Sequence, residues 1–295
     1  MAASAPVSTQ DALLAGFDRA FGLEAVPRPR AAAAPLAAAG RTSEPVARTP
    51  EPVARTSEPV ARTAEPPARD GALLRPDARI PASSLVAASD RAARIARLQE
   101  IEQRHAASCP HCTVATAHTN LVFGEGDPDA ELFFVGEAPG ETEDRLGRPF
   151  VGAAGQKLDE MIRAMGFERG QVYIANVLKS RPPENRTPLQ HEIDGCGPFL
   201  LEQLLAVRPK VIVTLGGPAT KLLLGIETGI TRARGVWHEW APPAGSDCEP
   251  IPVMPTYHPA YLLRTYTPKV RGEVWSDLKR VLERLGRPVP GRPVS

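Results

Sequence analysis

The feature that most constrains the fold is an alternation of short apolar runs with amphipathic segments between residues 131 and 285. The apolar runs predict β-strands at 131–136, 171–176, 210–215 and 251–256. The amphipathic segments predict helices at 153–165, 189–206, 218–224 and 270–285. Apolar strands that are separated by helices form parallel sheets that are covered on both faces. We therefore predict an α/β fold, a three-layer α/β/α domain with a central four-stranded, mostly parallel sheet.

The chain changes composition near residue 80, where Ser84 is predicted to cap a helix that runs to about His105. Residues 1–80 contain no Lys, Tyr or Trp, and four consecutive RTxEPVA-like repeats begin at residues 41, 48, 55 and 62. Each repeat carries a proline and lacks an apolar heptad pair, which favours a disordered tail over a coiled coil. Residues 8–22 have helical spacing and form either a docking helix for a protein partner or a marginal helix without one. We predict a tail over 1–80 and a globular domain over 81–295.

The charge balance restricts the kinds of partner. There are 35 Lys and Arg residues against 34 Asp and Glu, a net charge of +1, so a nucleic-acid surface must come from a local basic patch. The chain has no apolar run of about 20 residues, and its first residues lack the basic and apolar regions of a secretory signal. We expect a cytoplasmic protein that does not bind a membrane.

Polar residues and glycines cluster where the predicted strands end. Since a parallel sheet binds its ligand at the carboxyl ends of its strands, these residues are candidates for a site. They are Gly136, Glu137, Ala138, Glu143 and Phe150 after the first strand, Asn176 at the end of the second, and His258 after the fourth. The structural alternatives are a core-packing Phe150, a turn-capping Asn176 and ion-paired glutamates.

The motifs GEAPG, GRPFVGAAG, NVLKSRPP, ITRARG and TYHPAYLLR occur in that order along the chain. Together they resemble the family-four uracil-DNA glycosylases, the iron–sulfur branch of that superfamily, from about Cys109 to Leu285. The resemblance implies a monomeric enzyme that acts on uracil-containing DNA in base-excision repair. Such an enzyme flips deoxyuridine out of the stack and hydrolyses its N-glycosidic bond, which leaves free uracil and an abasic site.

The resemblance also implies roles for individual residues. Gly136, Ala138, Phe150 and Asn176 would bind uracil, with Phe150 stacked on the base and Asn176 on its amide edge. His258 would donate a hydrogen bond to the uracil oxygen where charge develops. Either Glu137 or Glu143 would orient the water or stabilise the cationic sugar, and the sequence does not rank them. Tyr261, Leu262 and Arg264 would prop open the duplex and bind phosphate.

Cysteine spacing predicts a metal or redox site. Cys109 and Cys112 form a C-x-x-C pair, and the resemblance adds Cys196 as a ligand of a structural [4Fe–4S] cluster. The family's remaining cysteine position holds Ser180 in this chain. Three arrangements stay open: a serine or solvent ligand, recruitment of Cys248, or loss of the cluster. Zinc is the alternative metal, and a disulfide is the least favoured state.

Two other functions compete with hydrolysis. One is a uracil-DNA binding module without turnover, which the departure at Ser180 favours and the joint presence of Glu137, Asn176 and His258 opposes. The other is a related glycosylase that traps its product covalently. That relative is expected to carry a basic, histidine-containing insertion after the second strand, whereas this chain has the short segment RPPENRTP.

Overall fold

The computed structural model describes residues 80–290. The predicted tail over 1–80, with its repeats and the helix predicted at 8–22, lies almost entirely outside the described residues, and its boundary stays a prediction. Within the described part of the chain, no helix is long and apolar enough to cross a membrane.

The helices follow the predicted order. They are α1 (Ala82–Leu85), α2 (Arg91–Ser108), α3 (Glu141–Leu146), α4 (Ala153–Ala164), α5 (Gln190–Val207), α6 (Gly217–Leu224), α7 (Ile230–Ala233), α8 (Pro259–Arg264) and α9 (Pro268–Arg284). The single helix predicted from Ser84 to His105 is wrong, because it is two helices. Asp90 caps α2 by accepting the Ala93 N–H at 2.9 Å, whereas the Ser84 hydroxyl donates to the buried Glu202 carboxylate at 2.7 Å.

The strands form one six-stranded mixed sheet. They are β1 (Glu125–Gly126), β2 (Leu132–Gly136), β3 (Tyr173–Asn176), β4 (Val211–Leu215), β5 (His238–Trp240) and β6 (Ile251–Thr256), in the order β1-β3-β2-β4-β6-β5. The four predicted strands are the central parallel ones, which confirms the fold class. The two additional strands, β1 and β5, pair antiparallel at the edges. They are two and three residues long, too short to show a periodic pattern.

Both faces of the sheet are buried. Phe133 and Val135 contact the layer that contains α2, α5 and α6, while Leu132 and Phe134 contact the layer that contains α4, α8 and α9. Successive side chains of a strand point to opposite faces, so a strand covered on both sides must be apolar throughout. This accounts for the continuous apolar runs in the sequence and confirms the three-layer arrangement.

A buried ion pair fastens α9 to the end of β6. Asp277 is 1% exposed, forms an ion pair with Arg234, and accepts a hydrogen bond from the Thr256 hydroxyl at 2.7 Å. Burial raises the pKa of Asp277 to about 6, and the Thr256 hydroxyl and the Arg234 guanidinium oppose that rise. The contact holds the backbone two residues before His258, so it supports the strand end where the site lies.

Replacing Asp277 with alanine should lower the free energy of unfolding by about 3 kcal/mol, because it leaves the Arg234 charge buried without its partner. Urea unfolding of the two proteins measures the difference. The matched control is Glu227→Ala, which removes an ion pair with Lys221 that is largely exposed and should change stability little. A loss below about 1 kcal/mol in Asp277→Ala would contradict the structural role of this pair.

Candidate functional site

A cavity of about 730 Å³ opens at the carboxyl ends of the parallel strands. The parallel registers pair Gly136 with Asn176 and Leu215 with Thr256, so these ends meet at one edge of the sheet. Most of the residues predicted from the strand ends line the cavity: Glu137, Ala138, Glu143, Phe150, Asn176, His258, Tyr261 and Arg264. Gly136 and Leu262 are not among the lining residues.

Asn176 lies at one end of the cavity, and its side-chain amide oxygen lacks a hydrogen bond in the described structure. The residue is 1% exposed, and its Oδ1 atom has no hydrogen-bond partner in the described structure. A buried amide oxygen without a partner costs free energy, so it marks a place where a ligand donor fits. The amide of Asn176 can read the adjacent donor and acceptor groups on the edge of a flat heterocycle.

Gly136 does not line the cavity, but its lack of a side chain leaves the space that Asn176 and Phe150 occupy. A Cβ atom at Gly136 would lie 2.2 Å from the Asn176 Oδ1 and 2.5 Å from the Phe150 Cζ. Both distances are far inside van der Waals contact, so no residue with a side chain fits while Asn176 and Phe150 keep their positions. The absence of a side chain at residue 136 therefore sets the position of Phe150 beside Asn176.

The loop that carries Phe150 is held in a strained shape. Phe150 has a φ of +48°, and a Cβ atom at Gly155 would lie 1.9 Å from the Phe150 carbonyl oxygen. Arg169 donates to the preceding carbonyl, that of Pro149, at 2.5 Å and forms an ion pair with Asp159 at 2.6 Å. This support keeps the aromatic ring in the cavity, where its centroid lies 5.7 Å from that of the His258 ring.

His258 presents a defined tautomer to the cavity. The Ala260 N–H donates to the His258 Nδ1 at 3.1 Å, so in the neutral ring Nε2 carries the proton. Burial, aided by the Arg264 charge, lowers the pKa of His258 to about 4. The imidazole is thus neutral at pH 7, and its Nε2–H is available as a hydrogen-bond donor.

The two candidate glutamates have different environments. The Glu143 Oε1 accepts the backbone N–H groups of Val151 at 2.9 Å and Gly152 at 2.8 Å, which fixes the loop before α4. The Glu137 carboxylate lines the cavity and has no side-chain hydrogen bond or ion pair among residues 80–290. Burial raises the pKa of Glu137. Glu137 is therefore the carboxylate that is free to act on a ligand.

Short helix α8 carries the residues predicted to contact DNA. Tyr261 and Arg264 line the cavity, but Leu262 is fully buried in the core under α8. A buried side chain cannot enter a DNA duplex without unpacking that core, so the role predicted for Leu262 does not fit its position. The next residue, Leu263, is 45% exposed.

A second cluster of functional groups lies beneath the sheet edge, on the α2 and α5 side. The Cys109, Cys112 and Cys196 sulfurs and a ring nitrogen of His105 lie within 4.8 Å of one another, and all four residues are buried. The Cys196 Sγ lies 3.6 Å from both the Cys112 Sγ and the His105 Nε2. His105 was not predicted as a ligand, although it lies in the last turn of α2, four residues before Cys109 at the end of that helix.

The other two residues considered as ligands differ in position. Ser180 is fully buried, and its hydroxyl lies 3.3 Å from the Cys112 Sγ. Cys248 is outside the cluster, and its thiol donates to the neighbouring Glu249 carbonyl. The tertiary structure thus places Ser180 beside the cluster of Cys109, Cys112 and Cys196, and it places Cys248 elsewhere.

The donor set of the cluster fits a thiolate-bound metal. Backbone N–H groups point at two of the sulfurs: Lys179 donates to Cys196 at 3.1 Å and Cys112 donates to Cys109 at 3.4 Å. Hydrogen bonds from the Cys112 and Cys196 thiols lower the pKa of Cys109. Three converging cysteines and an imidazole match the ligand types that bind zinc and iron in proteins.

Taken together, the cavity offers an aromatic face at Phe150, an amide edge at Asn176, a neutral donor at His258 and an unpaired carboxylate at Glu137. Such a set can hold a flat heterocycle, stabilise negative charge that develops on it, and stabilise a cation or a water molecule beside it.

Comparisons with known proteins agree with this chemistry. Residues 123–279 match the family model of the uracil DNA glycosylase superfamily. A type-4 uracil-DNA glycosylase of Sulfurisphaera tokodaii is 46% identical over 181 residues, which cover 60% of this chain and 80% of the relative. Type-4 enzymes of Thermotoga maritima and Archaeoglobus fulgidus are 44% and 43% identical, and the matches cover 62% and 63% of this chain and 92% and 93% of those relatives. The chain belongs to the uracil DNA glycosylase superfamily and, within it, to the type-4 uracil-DNA glycosylases.

Proposed function

We propose that this chain hydrolyses the N-glycosidic bond of deoxyuridine in DNA and releases free uracil, leaving an abasic site for base-excision repair. The observation that carries the proposal is the buried Asn176 Oδ1, which has no partner and lies beside Phe150. Uracil has an N–H donor between two carbonyl acceptors on its edge, so the amide oxygen can accept the N–H while the amide nitrogen donates to a carbonyl. Phe150 covers the face of the base.

His258 stabilises the departing base. Cleavage of the glycosidic bond leaves a uracil anion, and the negative charge develops on its carbonyl oxygens. A neutral imidazole that donates from Nε2 stabilises this charge without giving up a proton, and the low pKa of His258 keeps it in that form. A donor of this kind contributes on the order of 10²-fold to the rate.

Glu137 acts on the sugar side of the bond, and Glu143 is a positioning residue. The Glu137 carboxylate stabilises the cationic sugar and orients the water that attacks it. Glu143 holds the backbone at Val151 and Gly152, so it keeps Phe150 in place through the loop. The different contacts of the two carboxylates support this division, which the sequence left open.

DNA lies across the mouth of the cavity. Tyr261 and Arg264 contact the strand that carries the flipped nucleotide, with the Arg264 guanidinium on a phosphate. Leu263, exposed beside them, takes the place that the sequence analysis gave to Leu262. Such a contact requires no basic surface elsewhere, in agreement with the net charge of +1.

Cys109, Cys112 and Cys196 would hold a [4Fe–4S] group of the kind implied by the resemblance, and the His105 imidazole lies beside them. When bound, this group supplies a structural cross-link and no redox chemistry in the reaction. Lys179 connects the cluster to the base-binding end, because its backbone N–H donates to Cys196 and its Nζ donates to the Asn176 carbonyl at 2.7 Å. The protein acts as a cytoplasmic monomer, and the tail binds a separate partner.

Uracil release from an oligonucleotide with one deoxyuridine tests the activity and the two glutamate roles together. Wild type should release uracil without added metal or nucleotide. Glu137→Gln should lower kcat on the order of 10²-fold with little change in KM. Glu143→Gln keeps an acceptor for the two N–H groups and should retain most activity, whereas Glu143→Ala should raise KM.

The pH profile adds an independent measurement. Glu137 must be ionised to act, so wild-type activity should fall as the pH drops through its raised pKa, above the usual value of 4.5. Glu137→Gln should lack this acid limb. If Glu143→Gln loses activity and the acid limb while Glu137→Gln keeps both, the assigned roles are reversed. Folded wild type that binds the DNA without releasing uracil would establish the binding module instead.

Gly136→Ala tests the base-binding end, because the added Cβ overlaps both Asn176 and Phe150. We expect kcat/KM for uracil release to fall on the order of 10²-fold, since displacement by about 1 Å is enough to misplace a bound base. Gly217→Ala is the control: Gly217 lines the cavity, and the nearest atom to a Cβ there would be 3.7 Å away, so the added methyl group has room. Equal activity in the two variants would exclude the crowded contact as the determinant of uracil binding.

A variant that lacks residues 1–80 should release uracil from short oligonucleotides at nearly the wild-type rate, since all the residues assigned to the reaction lie between Gly136 and Arg264. Single-turnover rates of the two proteins provide the comparison. A large loss in the truncated protein would mean that the tail takes part in DNA binding.

A further inference from the structure

Two residues besides the three cysteines are candidates for the fourth ligand of the metal group. Three buried cysteines leave one position of a four-ligand site open, and the family's position for it holds Ser180. Among residues 80–290, the side chains nearest to the three sulfurs include the His105 imidazole and the Ser180 hydroxyl. Which of them completes the site depends on their chemistry and their other contacts.

The His105 ring is oriented toward the sulfurs by its packing. The residue is 1% exposed, and its ring packs edge-on against Phe199 with a centroid distance of 4.8 Å and an interplanar angle of 83°. Phe123 lies on another side at 6.4 Å. The ring nitrogen Nε2 faces the Cys196 Sγ at 3.6 Å. The two phenylalanines hold the imidazole ring with its nitrogen directed at the Cys196 sulfur. A nitrogen in this position can bind the same metal group as the cysteines.

Ser180 is engaged in a different hydrogen bond. Its hydroxyl lies 3.2 Å from the His111 Nε2, and His111 lies 4.0 Å from the Glu192 carboxylate. A serine must lose its proton to ligate iron firmly, and a hydroxyl holds that proton far more strongly than a thiol does. An imidazole nitrogen offers its lone pair without losing a proton. His111 is directed at Ser180 and Glu192 and away from this role.

We propose that His105 is the fourth ligand of the metal group, with Cys109, Cys112 and Cys196, and that Ser180 is a hydrogen-bonding neighbour. The inference rests on the cluster assigned under the proposed function. Its consequence is a change in charge, because a neutral imidazole replaces one thiolate. A less negative ligand set raises the reduction potential of an iron–sulfur group, as histidine ligands do elsewhere.

The test uses the full-length protein, purified without oxygen, with natural-abundance and with ¹⁵N-labelled histidine. Iron and sulfide are counted, the reduced protein is measured by pulsed EPR for coupling to a histidine nitrogen, and the reduction potential is titrated. Wild type should show one histidine nitrogen coupling that changes on labelling. His105→Ala should lose that coupling and part of its iron.

Two further variants keep the test decisive if His105→Ala fails to fold. His105→Cys should retain iron, lose the nitrogen coupling, and shift the reduction potential to a more negative value, since a thiolate replaces the imidazole. His111→Ala is the matched control: it removes a buried histidine near Ser180 and should keep the coupling. Ser180→Ala should keep both the iron and the coupling.

Two results would overturn the assignment of His105. They are a nitrogen coupling that persists in His105→Cys and a loss of iron in Ser180→Ala that equals the loss in His105→Ala. Wild-type protein that carries stoichiometric zinc without iron would overturn the iron–sulfur group on which the assignment rests. Uracil release is measured on the same samples. Nitrogen coupling in a protein that releases no uracil would contradict the proposed activity alone, and uracil release without histidine coupling would contradict the ligand assignment alone.

Discussion

The parallel pairing of β2 with β3 is the constraint on which the base-binding end depends. It places Gly136 directly beside Asn176, and the missing side chain at Gly136 leaves the space that Phe150 and the Asn176 amide share. A shift of one residue in this register would turn Asn176 to the opposite face of the sheet. The apolar core on both faces opposes such a shift, because every strand residue would exchange its buried environment. Packing of the core therefore fixes the geometry of the site.

Charged side chains outside the cavity hold its walls. Arg169 fixes the carbonyl before Phe150, and the Asp277–Arg234 pair fixes the strand end before His258. Arg169, Asp277 and Arg234 do not line the cavity. Each of the two contacts nevertheless restrains a backbone segment that the reaction needs in one position. An enzyme that stabilises charge by fixed hydrogen bonds depends on such support, since a donor that moves during the reaction stabilises less.

The cysteine cluster and the end of the cavity at Asn176 share one short segment of chain. From Asn176 to Ser180 the backbone passes from the cavity to the cysteines, and Lys179 contacts both ends of this path. Burial lowers the pKa of Lys179 to about 8, and the neighbouring sulfurs oppose that decrease. A fully buried lysine needs such partners, and Lys179 links the cysteine cluster to the backbone of Asn176 through them.

The α/β class, the four parallel strands and the strand-end residues could be predicted from the amino-acid sequence, because apolar period and motif order are local properties of the chain. Residues that look alike in sequence differ in the contacts that folding gives them. Glu137 lies in the loop after β2 and Glu143 lies in α3. Within residues 80–290 the Glu143 carboxylate accepts two backbone N–H groups, whereas the Glu137 carboxylate has no side-chain hydrogen bond or ion pair. Leu262 and Leu263 are adjacent, and helix packing buries one and exposes the other. Ser180, His105 and Cys248 are far apart in the chain, and folding brings the first two to the cysteines and leaves the third aside, since contacts between distant segments are set by how the layers pack.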